Sequence, residues 1–75
     1  MDLISEGNLK GLFKGFEGPG TVLEFSDGSR WRQVGADVTV NRLLMPNARI
    51  LRVAGRFYIE IDGLLKGVEV AALYW

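Results

Sequence analysis

The 75-residue sequence contains no cysteine and no histidine. Without cysteine there is no disulfide and no thiolate to grip a metal. Without histidine the commonest general base is missing, together with the usual zinc ligand and the usual activator of a nucleophilic serine. A histidine-based triad and a Cys/His zinc centre are therefore excluded. Only two prolines are present, and the formal net charge is zero. A dedicated nucleic-acid binder normally carries a clear basic excess, and this chain has none. No run approaches the ~20 apolar residues of a membrane-spanning helix. The opening residues Met1 to Glu6 are acidic and lack the basic start and apolar stretch of a signal peptide. A soluble cytoplasmic protein is expected, with no cofactor and no membrane partner.

What is present is apolar and glycine-rich: 48% hydrophobic residues and ten glycines. A chain of this size makes one small domain that buries only about 60% of its extended-chain surface, so its core must come from apolar packing, completed by self-association if needed. Charge is unevenly spread. All six arginines fall between positions 30 and 56 with only Asp37 against them, a net +5, whereas residues 1–29 carry −3 and residues 57–75 carry −2. Cross-strand charge pairing is the plain reading of that pattern. A basic face for an anionic partner is the sharper one.

The clearest structural signal is Thr21 to Val34, two alternating β-prone runs around Ser26-Asp27-Gly28-Ser29. An Asp-Gly pair in this setting marks a β-hairpin. A two-residue loop would mix apolar and charged side chains on both faces. A three-residue loop, Ser26-Asp27-Gly28 with Gly28 left-handed, pairs Leu23 with Trp31 and Glu24 with Arg30. It collects Leu23, Phe25 and Trp31 on one face and Val22, Glu24, Arg30 and Arg32 on the other. The hydrophobic pattern favours the second register, because a one-residue slip would flip every side chain. Trp31 is then core, and Arg30-Trp31-Arg32 is not one stacking surface.

Around the hairpin, Leu9 to Phe16 reads as a glycine-kinked strand and Glu17-Gly18-Pro19-Gly20 as a turn. Asp37 to Met45 reads as a strand ended by Pro46-Asn47. Ala48 to Val53 and Arg56 to Asp62 are two more, around Ala54-Gly55. In the latter, Phe57, Ile59 and Ile61 alternate with Tyr58, Glu60 and Asp62, one buried face and one wet. Whether Ile50 or Leu51 faces the core is open. Val68 to Val70 makes a last short strand, and Ala71 to Trp75 an apolar tail. The expected fold is all-β, a small antiparallel barrel or sandwich of five to six short strands. Residues 1–8 form a short N-terminal arm or one helical turn, and residues 9–75 the single domain. The expected core is Leu23, Phe25, Trp31, Phe57, Ile59, Ile61, Val68 and Val70.

From Gly11 onward the sequence resembles a group of small bacterial SH3-like-barrel proteins. The resemblance rests on Phe13, Gly15, Phe16, Gly18, Thr21, Asp27-Gly28, Trp31 and Gln33, a glycine-aromatic turn followed by an Asp-Gly hairpin and Trp-x-Gln. Pro46, Gly55, Phe57 to Ile61, Asp62-Gly63 and Val68 to Val70 follow in the same order. It implies an SH3-like barrel and is silent on chemistry, since these are turn and core positions. Two departures stand out: Phe16 replaces a tryptophan, and Val38-Thr39-Val40-Asn41 replaces a tyrosine-rich middle.

Few residues remain for catalysis. Glu60 and Asp62 share a strand face about 7 Å apart by strand rise, but a solvated face accounts for them, and no enzyme is expected. No glycine arrangement matches a phosphate loop. Three readings of function stay open. The first is a non-catalytic protein-interaction or self-assembly module, homo-oligomeric, with Leu73, Tyr74 and Trp75 as the contact. The second is nucleic-acid binding through an outer face bearing Arg30, Arg32 and Tyr58. The third is a ligand or enzymatic site built between copies of a homo-oligomer.

Overall fold

The computed structural model describes residues 2–64 and 66–74. Its regular elements are all β-strands: β1 (Asp2–Asn8), β2 (Leu12–Phe13), β3 (Val22–Glu24), β4 (Arg30–Gln33), β5 (Leu43–Leu44), β6 (Asn47–Val53), β7 (Arg56–Ile61) and β8 (Val68–Tyr74). Six of them make one antiparallel sheet in the order β1-β6-β7-β8-β4-β3, and β2 pairs with β5 in a second, two-stranded sheet. The all-β, antiparallel expectation holds. The count is eight rather than five or six: residues 2–8 add a strand of their own, while the segments expected to be whole strands at 9–16 and 37–45 shorten to two-residue strands.

The hairpin forms as its hydrophobic pattern requires. Leu23 stands across from Trp31 and Glu24 from Arg30. Gly28 has φ 94°, and its N–H donates to the Phe25 carbonyl at 2.9 Å. The Phe25 N–H in turn donates to the Ser29 carbonyl, which is the type I turn with a glycine bulge. Leu23, Phe25 and Trp31 are all buried.

The hairpin of β6 and β7 settles the open question of register. Ile50 faces Ile59 and Ala48 faces Ile61, all four buried, so Leu51 points outward opposite Tyr58. The two-residue loop Ala54-Gly55 has φ of 51° and 78°, the left-handed pair of a type I′ turn.

Two expectations about the termini are corrected. Residues 2–8 are not a helical turn: the arm is extended, and β1 lies along β6 as an edge strand with a register shift between Leu3 and Ser5. The apolar tail is not a separate segment. Ala71 to Tyr74 continue β8, which sits inside the sheet between β7 and β4, pairing Ala72 with Trp31 and Tyr74 with Arg30. Trp75 lies outside the described residues.

The sheet is open, but it bends far enough for its two edges to touch. Past the end of β1, Leu9 forms an isolated antiparallel bridge with Phe25, just past β3. Lys10 N–H donates to the Glu24 carbonyl at 2.8 Å and Ser26 N–H to the Asn8 carbonyl at 2.9 Å. Between the sheet and the β2–β5 ribbon lies one core of Leu9, Phe13, Phe16, Leu23, Phe25, Trp31, Ala48, Ile50, Ile59, Ile61, Val68 and Val70. Of the expected core residues only Phe57 is half-buried; its ring packs on Trp31 at 5.4 Å between centroids. Phe13 and Phe16, which belong to the aromatic turn, meet edge to face at 5.3 Å.

Candidate functional site

The outer face of the sheet carries the arginines singled out above. Arg30 and Arg32 are both exposed on β4. Tyr58 is half-buried on β7. They share a face without converging, because β8 runs between their strands. Arg32 stands across from Ala71 and Tyr58 from Glu69, two residues away along β8. Two inter-strand spacings, about 10 Å, separate β4 from β7. Continuing the β7–β8 register one step past Phe57 and Val70 puts Arg56 across from Ala71 on its other side. Arg32 and Arg56 therefore flank a small residue, and Arg56 is better placed beside Arg32 than Tyr58 is.

The remaining arginines of the basic stretch are largely occupied by acids. Arg49 lies between Glu6 of β1 and Glu60 of β7, at 3.6 Å from each, and also binds Asp62. Arg52 pairs with Asp2 at 2.9 Å, which holds the Asp2 carboxyl below its ordinary range. Glu24 is taken by Lys10 at 3.6 Å. The Glu60 and Asp62 carboxylates, the one pair considered for acid–base work, are thus ion-paired to one guanidinium. Among the described residues no cluster of three or more His, Cys, Asp or Glu side chains is placed to hold a metal ion.

Sequence reasoning missed the second sheet as a surface. Beyond β2 and β5 the two chains keep company. Asn41 N–H donates to the Lys14 carbonyl, Thr39 N–H to the Phe16 carbonyl at 2.9 Å, and Glu17 bridges Val38. The Thr39 hydroxyl oxygen accepts from the Phe16 N–H at 3.2 Å. Residues 12–17 and 38–44 thus form one irregular antiparallel ribbon. Its inner side is Phe13, Phe16 and Leu43, packed on the core. Its outer side is apolar as well: Val40 is 93% exposed, Leu44 76% and Val38 70%, with Leu12 and Met45 beside them. Ten large apolar side chains are exposed among the described residues, and five of them belong to this ribbon and its end. Leu73, named for the expected tail contact, is also exposed, but it lies on β8 of the other sheet.

Gln33 was legible only through the resemblance, and its role is local. It is fully buried, and its Nε2 donates to the carbonyls of Gly35 at 2.8 Å and Asp37 at 2.6 Å. These bonds fix the loop that leads into the ribbon. Beside that loop is a cavity of about 310 Å³ lined by Phe16, Asp37, Thr39, Gly63, Leu64, Lys66 and Val68, with the Asp37–Lys66 ion pair at 3.0 Å among its lining.

No protein-family model, no curated protein and no solved structure matches this chain. No helix of the described structure is long and apolar enough to cross a membrane.

Proposed function

We propose that this chain is a non-catalytic interaction module of the SH3-like small-barrel type, and that it assembles with copies of itself. The observation that carries the reading is the outward apolar row of the ribbon, Val38, Val40 and Leu44 with Leu12 and Met45. Exposed apolar side chains scattered singly are ordinary, whereas several gathered on one small ribbon are a mark of an interface. The barrel reading draws support from the bend that brings the two sheet edges together at Leu9 and Phe25. The non-catalytic reading draws support from the carboxylates, since Glu60 and Asp62 both engage Arg49.

Sedimentation velocity over rising concentration tests it. The wild-type chain is expected to gain mass and Val40→Asp to remain monomeric with an unchanged circular dichroism spectrum, because a side chain this exposed contributes little to the fold. A wild-type chain that stays monomeric throughout would sink the reading.

A second reading keeps the arginine face. Arg32 and Arg56 flank Ala71 on the sheet surface, while Arg49 and Arg52 are neutralised. A phosphate-bearing strand would meet two guanidinium groups there. A salt titration with single-stranded oligonucleotides tests this, since phosphate contacts are strongest at low salt. Absence of binding at low salt ends it.

A further inference from the structure

The outer side of the ribbon carries charges of both signs in a fixed order. Along one chain run Val38, Val40, Arg42 and Leu44, all exposed. On the other chain Leu12 lies across from Leu44, Lys14 beside Asn41, and Glu17 across from Val38. An acid therefore sits at one end, two bases lie toward the other, and the most exposed apolar side chain, Val40, stands between them.

Two copies stacked by this face about a two-fold axis have two ways to align their strands. With the axis along the strands, each 38–44 segment covers the other copy's 12–17 segment, and Arg42 falls over Lys14 of the second copy. That places like charges together, which costs affinity. With the axis across the strands, each segment lies antiparallel over its own equivalent. Val40 then meets Val40, and Glu17 falls over Lys14 of the second copy, with Arg42 of that copy beside it. Resting on the self-association reading above, we infer that the occupant of the ribbon face is a second copy in this antiparallel register, selected by Glu17 against Lys14 and Arg42. The zero net charge of the chain leaves no long-range repulsion between copies. From strand rise and spacing the ribbon face measures about 20 by 10 Å. That is well under the ~800 Å² per partner of a standard interface, so the association is weak and concentration-dependent.

Charge reversal tests the register. Glu17→Lys carries only bases at the three positions, and the double variant Lys14→Glu/Arg42→Glu carries only acids. Sedimentation velocity in ~0.15 M salt, where unpaired surface charges are largely screened, is run from micromolar to near-millimolar protein. Each variant alone is expected to associate about tenfold or more weakly than wild type, and an equimolar mixture to regain association. A matched pair of the same net charges on the opposite face, Glu69→Lys and Arg32→Glu/Arg56→Glu, should leave self-association at the wild-type level, alone and mixed. Reversed variants that associate like wild type while Val40→Asp does not would overturn the register and leave the ribbon contact standing. A mixture that fails to associate, or a control pair that shows the same recovery, would also overturn the register. Association of Val40→Asp at wild-type strength, or a monomeric wild type, would overturn the contact itself.

Discussion

Gly15 and Gly28 both have positive φ, at 110° and 94°, yet they differ in what surrounds them. A Cβ on Gly15 would lie 2.1 Å from the Thr39 carbonyl oxygen, on the facing segment of the ribbon. A Cβ on Gly28 would meet nothing within 4 Å. Gly28→Ala should therefore cost only the left-handed backbone penalty, about 1–2 kcal/mol. Gly15→Ala should cost about 3 kcal/mol or more, because backbone must move. A domain of this length has only about 4–11 kcal/mol in all. Urea unfolding of the two variants side by side checks the ordering. Asp27 makes the stability of the same hairpin depend on pH. Its Oδ1 accepts from the Ser29 N–H at 2.9 Å and from the Ser29 hydroxyl at 2.7 Å, and these bonds hold its carboxyl below the ordinary range. A carboxyl whose folded pKa is depressed adds stability above its unfolded pKa and loses it as pH falls through the folded value. Asp27→Asn should therefore be less stable than wild type at neutral pH, and the gap should close as pH drops below about 4. A gap that stays constant from pH 7 to pH 3 would contradict this. The residues around Asp27 and Gly28 were readable in the sequence because turn chemistry and side-chain alternation pointed to one register. The constraint on Gly15 was not, since it arises from Thr39, a residue 24 places away.

At the level of elements, the β6–β7 hairpin has one poor choice of residue. Ala54 occupies a left-handed position of a type I′ turn, with φ 51°, where asparagine is favoured. Ala54→Asn should raise stability by about 0.5–1 kcal/mol, read as a higher thermal midpoint. No change, or a loss, would show that the turn tolerates alanine without strain. This hairpin also shows where sequence patterning runs out. Phe57, Ile59 and Ile61 announced their inward face by alternation with charged and aromatic neighbours. Ile50 and Leu51 are adjacent and both apolar, so only pairing with Ile59 decides between them. The ribbon shows a different limit. Val38-Thr39-Val40-Asn41 has a strand's period of two, but period alone does not say which side faces the core. Phe13, Phe16 and Leu43 fill the inner side, and the valines are left outside. The arginine face was legible only as a composition bias. Its geometry depends on β8 entering between β4 and β7, which local pattern cannot supply.

For the whole molecule, the position of β8 separates two roles that the apolar tail seemed to combine. Tyr74 pairs with Arg30 through the backbone, so the end of the described chain is structural. Deleting Leu73 to Trp75 should lower the unfolding midpoint of the monomer. It should leave the concentration dependence of association unchanged under conditions where the shortened chain is folded. Loss of association with an unchanged melting curve would instead assign the contact to the tail. The long-range pairings, β1 with β6 and β4 with β8, also place this fold among those dominated by distant contacts, for which folding is slow.

The meeting of the sheet edges at Leu9 and Phe25 has a dynamic consequence. Within the six-stranded sheet the backbone ladders run for three residue pairs or more, but here two hydrogen bonds, Lys10 to Glu24 and Ser26 to Asn8, hold the edges together. Such a short seam can part without unravelling β6, β7 and β8. Amide hydrogen exchange should therefore divide the molecule: the Lys10 and Ser26 protons exchange through a low-energy opening, whereas the Ile50 and Ile59 protons wait for global unfolding. The protein would breathe along one line, with the rest of the sheet moving as a single leaf.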